Sequence, residues 1–70
     1  MKNAALKIGT TQTGKAIYFS MNAGEYTGFT KADHLDACDI HSTYAFKSEG
    51  ASKVASRKRA IQHNNIAKYL

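Results

Sequence analysis

The chain has 70 residues, a hydrophobic fraction of 43% and a formal net charge of +5, which together describe one small, basic, folded domain. No apolar run approaches the roughly 18–20 residues that a membrane span requires, and we expect no signal peptide because no apolar segment follows the first lysine. The single cysteine, Cys38, cannot form an internal disulfide, which is typical of a reducing compartment. We therefore expect a cytoplasmic protein without a membrane partner, lying at the nucleoid if it binds nucleic acid.

The first thirty residues favour β-structure. Alternating apolar and polar side chains predict strands at about residues 4–9 and 15–21, joined by a turn over residues 10–14. Gly14 is expected to take a positive φ in that turn. A third short strand over residues 25–29 is an alternative that Gly28 weakens. The N-terminal part is therefore predicted to be a β-hairpin or a three-stranded antiparallel meander.

Two helices are predicted next, at about residues 31–48 and 52–69. Thr30 followed by Asp33 has the spacing of a capping box, whereas Gly50 is expected to end the first helix and Ser52 to cap the second. The apolar side of the second helix is expected to pack on the sheet, giving a small two-layer α+β domain. That side consists of Val54, Ala55, Ile61, Ile66, Tyr69 and Leu70.

All of the excess positive charge lies in residues 51–70. Five basic side chains and no acidic one occur there, whereas five lysines and five acidic residues cancel in the first fifty residues. At about 100° per residue, Lys53, Arg57, Asn64 and Lys68 share one side of the predicted helix. Such segregation of charge indicates an acidic partner.

Nucleic acid is the first candidate for that partner. The basic side chains would contact successive phosphates, the asparagine would bond to sugar or base edges, and an exposed tyrosine would stack on a base. The predicted contact residues are Lys53, Arg57, Lys58, Arg59, Asn64, Lys68 and Tyr18.

The start of the second predicted helix resembles the second helix of double-stranded-RNA-binding domains. Gly50-Ala-Ser52-Lys53 is followed by Lys58, and in that family a Ser-Lys-Lys cluster at the helix N-terminus spans phosphates across a groove. Val54 stands in place of the second lysine of that cluster. The family also places a helix before three strands, whereas here the strands come first. The likeness covers about twenty residues and implies contact between Lys53 and phosphate.

The alternative partner is another protein. An acidic protein surface is the same electrostatic target, and the chain would then be an inhibitor or adaptor that docks on a larger complex, such as a phage- or mobile-element-encoded blocker of a host defence complex. Aromatic and arginine side chains would carry that contact, with Tyr18, Tyr26, Tyr44 and Arg57 as candidates. A homodimer stays open, because an exposed hairpin edge or leftover apolar surface would pair two copies.

Three side chains of the first predicted helix have the chemistry of metal ligands. His34, Cys38 and His41 share one face of the first predicted helix and are weak candidates for a zinc site, with Asp33 or His63 as a fourth ligand. One helix seldom supplies three ligands, so these side chains are expected to border the core. We predict no metal and no cofactor.

Residues 9–16 nearly match the phosphate-binding loop G-x-x-x-x-G-K-[ST]. Ala16 lacks the hydroxyl that would bind Mg²⁺, and the following residues favour a strand where that loop requires a helix. A hairpin turn explains the pattern. Cys38 and a histidine on the same helix project in parallel and have little chain around them to build a substrate pocket, so we predict that the protein is not an enzyme.

Overall fold

The computed structural model describes residues 6–19 and 26–70, which form a two-stranded hairpin followed by two helices. The elements are β1 (Lys7–Thr10), β2 (Ala16–Tyr18), α1 (Lys31–Phe46) and α2 (Gly50–Lys68). The predicted α+β class, with a hairpin before two helices, is confirmed. Residues 26–29 form a turn in which the amide of Phe29 donates to the carbonyl of Tyr26 at 3.0 Å. No third strand forms there, and the predicted strand ends at residues 4–5, 20–21 and 25 lie outside the described residues.

The hairpin is antiparallel and contains a bulge. Lys7 pairs with Tyr18 and Gly9 pairs with Ile17, so β1 carries one extra residue between these pairs, which increases the local twist. The turn over residues 11–15 is closed by a 2.8 Å bond from the amide of Thr11 to the carbonyl of Lys15. Gly14 has a φ of +91°, as predicted, because this turn requires a conformation that a side chain disfavours.

The hairpin packs closely against α1. A Cβ added to Gly9 would lie 2.9 Å from Cγ2 of Ile40, so only glycine allows the strand to approach the helix at this point. Ile17 and Ala37 are fully buried between the two elements. The partly buried residues around them are Ile8, Tyr18, Tyr26, Phe29 and Ile40.

The N-terminus of α1 is fixed by the predicted capping box. The amide of Asp33 donates to Oγ1 of Thr30 at 3.1 Å, and the amide of Thr30 donates to the Asp33 carboxylate at 2.9 Å. The same buried carboxylate accepts bonds from Nζ of Lys15 at 2.7 Å and from Oγ1 of Thr13 at 2.5 Å. These donors, with Lys15 first, hold the pKa of Asp33 well below its usual range. One carboxylate thus joins the hairpin turn to the helix, and the lysine of the phosphate-loop-like pattern bonds to it.

The junction between the helices differs from the prediction. α1 ends at Phe46, and the hydroxyl of Ser48 donates to the carbonyl of Tyr44 at 2.7 Å, so a serine satisfies one of the open carbonyls. Gly50 begins α2 with a φ of +66°. The predicted roles of Gly50 as the stop and Ser52 as the cap are therefore wrong, because the glycine's positive φ turns the chain directly into α2.

α2 packs on α1, and α1 in turn packs on β1. The buried residues of α2 are Ser56, Ala60, His63 and Ala67, which recur at the spacing of one helix face. The predicted packing of an apolar side of α2 on the sheet is wrong: Val54, Ile61 and Tyr69 are 60%, 59% and 88% exposed. Small side chains let the two helix backbones approach each other, and larger ones would hold them apart.

Candidate functional site

The basic residues predicted to bind a partner lie on α2, and most of them face solvent. Arg57, Lys58, Asn64 and Lys68 are exposed, whereas Lys53 and Arg59 are half-buried. Nζ of Lys53 donates to the carbonyl of Ala45 at 3.3 Å, near the C-terminal end of α1, where a positive charge is favourable. Lys53 therefore has a role within the fold.

The side of α2 that points away from α1 combines apolar and basic side chains. At about 100° per residue these residues fall within an arc of roughly 120° opposite the buried residues. We call this surface the outer face; it consists of Val54, Arg57, Lys58, Ile61, Asn65, Lys68 and Tyr69. It carries three positive charges and no negative one.

A groove runs between the C-terminal half of α1 and the N-terminal half of α2 and meets the edge of the outer face. Its volume is about 330 Å³. Phe46, which is 83% exposed, and Ile61 supply apolar surface, while Lys53 and Arg57 supply positive charge. The remaining lining residues are Ser42, Ala45 and Ala60.

The tyrosines predicted to contact a partner are largely used within the fold. Tyr18 is half-buried against the core. The ring centroids of Tyr26 and His63 lie 4.2 Å apart, and those of Tyr44 and Phe19 lie 5.3 Å apart. The rings of these three tyrosines therefore pack within the fold.

The exposed aromatic residues near the basic charges are instead Phe46 and Tyr69. Phe46 had no predicted role, and Tyr69 was expected on the packed side of α2. The available signal was that, at about 100° per residue, Phe46 falls next to Asp39 on the polar side of α1, away from His34 and His41.

Three buried histidines lie between the helices. His34 and His41 from α1 and His63 from α2 are each at most 3% exposed. Nδ1 of His34 lies 2.9 Å from Nδ1 of His63, and the ring of His41 stacks on that of His63 with centroids 5.4 Å apart. His34 and His41 therefore border the core as predicted, and α2 adds a third imidazole that joins them.

Burial lowers the pKa of all three imidazoles, to about 4 for His41 and for His63, because a charged ring loses hydration there. For His63 the neighbouring His41 and His34 lower the pKa further, and the positive charge of Arg59 lowers the pKa of both His41 and His63. Within the described part of the chain, neither nitrogen of His41 has a hydrogen-bond partner. The cluster is thus neutral at pH 7 and sensitive to protonation.

The structure does not assemble the metal or nucleophile candidates. Across residues 6–19 and 26–70, no three His, Cys, Asp or Glu side chains are placed to hold a metal ion. Cys38 is half-buried and outside the histidine contacts, and burial followed by the charge of Asp39 raises the pKa of its thiol. A raised pKa disfavours the thiolate that nucleophilic chemistry requires. Asp33, the other candidate for a fourth zinc ligand, instead accepts hydrogen bonds from Lys15, Thr13 and Thr30.

In the part of the chain that the structure describes, no helix is both long and apolar enough to cross a membrane. α2 follows two strands and another helix, so its likeness to double-stranded-RNA-binding domains does not extend to the order of elements. Comparison of the chain with protein-family models, with curated proteins and with solved structures finds no match.

Proposed function

We propose that this protein is a non-enzymatic binding protein that docks the outer face of α2 on an acidic surface of another protein. The observation that carries the proposal is the exposure of Val54 and Ile61 among basic side chains on one helix face. Apolar anchors surrounded by polar and charged groups are the usual composition of a protein–protein interface.

The apolar residues of the outer face favour a protein partner over nucleic acid. Phosphate oxygens attract lysine and arginine, but they give exposed valine and isoleucine side chains nothing to pack against. A protein surface supplies both acidic groups and apolar contacts. Tyr18, which would serve as a base-stacking residue, is half-buried in the fold.

An inhibitor or adaptor acts by covering a surface of a larger complex and requires no catalytic group. A phage- or mobile-element-encoded blocker of a host defence complex is one such class. A 70-residue domain with a basic, partly apolar helix face fits this role because its outer face combines charge attraction with apolar contact.

Nucleic acid remains the second candidate, and the segregated charge favours it. Arg57, Lys58 and Lys68 are all exposed on α2, with Asn64 nearby. Contacts with phosphates would make the affinity fall steeply with salt, with a log–log slope of roughly three to five.

The test compares two variants of the outer face with a matched control. Arg57→Glu reverses a charge, Ile61→Ser removes an apolar contact, and Lys31→Glu makes the same charge change at an exposed position of α1. Each tagged protein is used to capture partners with and without nuclease, and its binding to labelled DNA and RNA is titrated at physiological salt. We expect capture of a protein that survives nuclease, is lost with Arg57→Glu and with Ile61→Ser, and persists with Lys31→Glu.

The opposite pattern would support nucleic acid. Capture that disappears with nuclease, together with nucleic-acid binding that Arg57→Glu abolishes and Ile61→Ser leaves unchanged, contradicts the proposal.

A further inference from the structure

We propose that the groove between α1 and α2 receives an apolar side chain carried by an acidic segment of the partner protein. This inference rests on the proposed function and specifies where an anchoring residue of the partner would sit. The groove is defined by Phe46 and Ile61 as walls and Ala45 and Ala60 as floor, with Lys53 and Arg57 on its α2 side.

The groove is large enough to receive an apolar side chain. Its volume of about 330 Å³ lies at the lower end of the range for ligand pockets, roughly 300–1,000 Å³. Ala45 and Ala60 are buried and make a shallow floor, while the exposed side chains of Phe46 and Ile61 stand beside it. An inserted leucine or phenylalanine would cover both exposed walls and lose its own contact with water, which is the main favourable contribution to such binding.

The positive charge at the groove favours acidic residues in the partner next to the inserted apolar side chain. No acidic residue lines the groove, and across the described ranges no carboxylate forms an ion pair with Arg57. An arginine with an open guanidinium is suited to two parallel hydrogen bonds with a carboxylate. Lys53, whose Nζ already contacts the carbonyl of Ala45, adds positive charge at the same edge.

The same charge argues against a second copy of this chain as the occupant. The residues at the edge of the groove belong to a segment with five basic side chains and no acidic one. Two copies paired through this surface would bring like charges together, which is unfavourable. An acidic peptide segment has the complementary charge.

The experiment uses two fluorescein-labelled peptides made of glutamates, one with a central leucine and one with glycine in its place. Fluorescence polarisation measures their affinity for the wild-type protein and for Phe46→Ala, Ser42→Phe and Leu35→Ala. Phe46→Ala removes a wall and Ser42→Phe fills the groove, whereas Leu35→Ala deletes an exposed apolar side chain of α1 outside the groove. We expect the wild type to bind the leucine peptide about tenfold more tightly than the glycine peptide.

Both groove variants should abolish that preference and keep the affinity for the glycine peptide, while Leu35→Ala keeps the preference. Equal affinity of the wild type for the two peptides, or a preference for leucine that survives Phe46→Ala, contradicts binding of an apolar side chain in the groove. It leaves the proposed binding of an acidic partner to the outer face intact. If neither peptide binds, the acidic-partner function fails as well. A dimer in sedimentation equilibrium that Phe46→Ala dissociates would show that a second copy occupies the groove, which also overturns the inference.

Discussion

The buried face and the exposed face of α2 differ in the opposite sense from most helices, because the larger apolar residues lie on the exposed face. The inner face, Ser56, Ala60, His63 and Ala67, is buried although it contains only small and polar residues. The outer face exposes Val54, Ile61 and Tyr69. The difference shows that side-chain size and imidazole contacts select the packed side of this helix, while its larger apolar residues are left over. Apolar residues that are exposed together on one face often mark an interaction site, whereas single exposed apolar residues are common on any protein surface.

The inner face should be the acid-sensitive part of the molecule, and this is the largest effect we expect. His41 and His63 have folded-state pKa values of about 4, below the 6.5 of an unperturbed histidine, and that of His34 is also lowered. The unfolded chain therefore binds more protons between these values, so the stabilisation is complete above about pH 6.5 and is lost as the pH falls towards 4. The free energy of unfolding should decrease over this range by on the order of 3 kcal/mol for each of His41 and His63, measured by urea unfolding at a series of pH values.

His41→Leu supplies the control for this prediction. It removes a buried imidazole that has no hydrogen-bond partner among the described residues, so the dependence on pH between 6.5 and 4 should weaken. The low pKa of Asp33 acts at lower pH, because its contribution is complete above an unfolded value of about 3.9 and is lost below it. A free energy of unfolding that stays constant from pH 7 to 4.5 would contradict a neutral histidine cluster.

The second prediction makes the same substitution at a buried position and at an exposed position of α2. Ala60→Leu places a larger side chain on the buried inner face, where overpacking costs about 1–3 kcal/mol. Ala55→Leu makes the same change at an exposed position of the same helix, where the effect should stay within about 0.5 kcal/mol. Chemical unfolding followed by circular dichroism measures both. Equal effects at the two positions would mean that α2 does not pack on α1 through its small residues.

The features that the sequence predicted correctly are local. The turn with Gly14 at positive φ and the capping box of Thr30 and Asp33 depend on residues a few positions apart, so short patterns suffice to identify them. The alternation of residues 15–21 likewise predicted the β2 strand. The inward positions of His34 and His41 followed from helical spacing alone.

The features that the sequence did not predict depend on contacts between elements. A hydrophobic pattern gives weight to Val54 and Ile61 and almost none to alanine, so it selected the side of α2 that faces solvent. His63 was considered beside His34 and His41 only as an alternative to Asp33 in a zinc site, and its place in the histidine cluster depends on α2 folding back on α1. The groove beside Phe46 arises from two helices whose relative position no periodicity encodes. The sequence therefore indicated the basic residues of the candidate site but not its exposed apolar residues.

The smallest effect on stability should come from the outer face itself. Valine, isoleucine and serine have similar helix propensities, so the double variant Val54→Ser and Ile61→Ser changes exposed apolar surface with little effect on the helix. We expect the free energy of unfolding to change by less than about 0.5 kcal/mol, whereas Ile17→Val, in the buried core, should cost about 0.5–1.5 kcal/mol. Urea unfolding measures stability, and the leucine-containing glutamate peptide measures binding. A loss of stability larger than that of Ile17→Val would show that Val54 and Ile61 support the fold. Unchanged stability together with weakened peptide binding would show that the two side chains contribute to partner binding and not to folding.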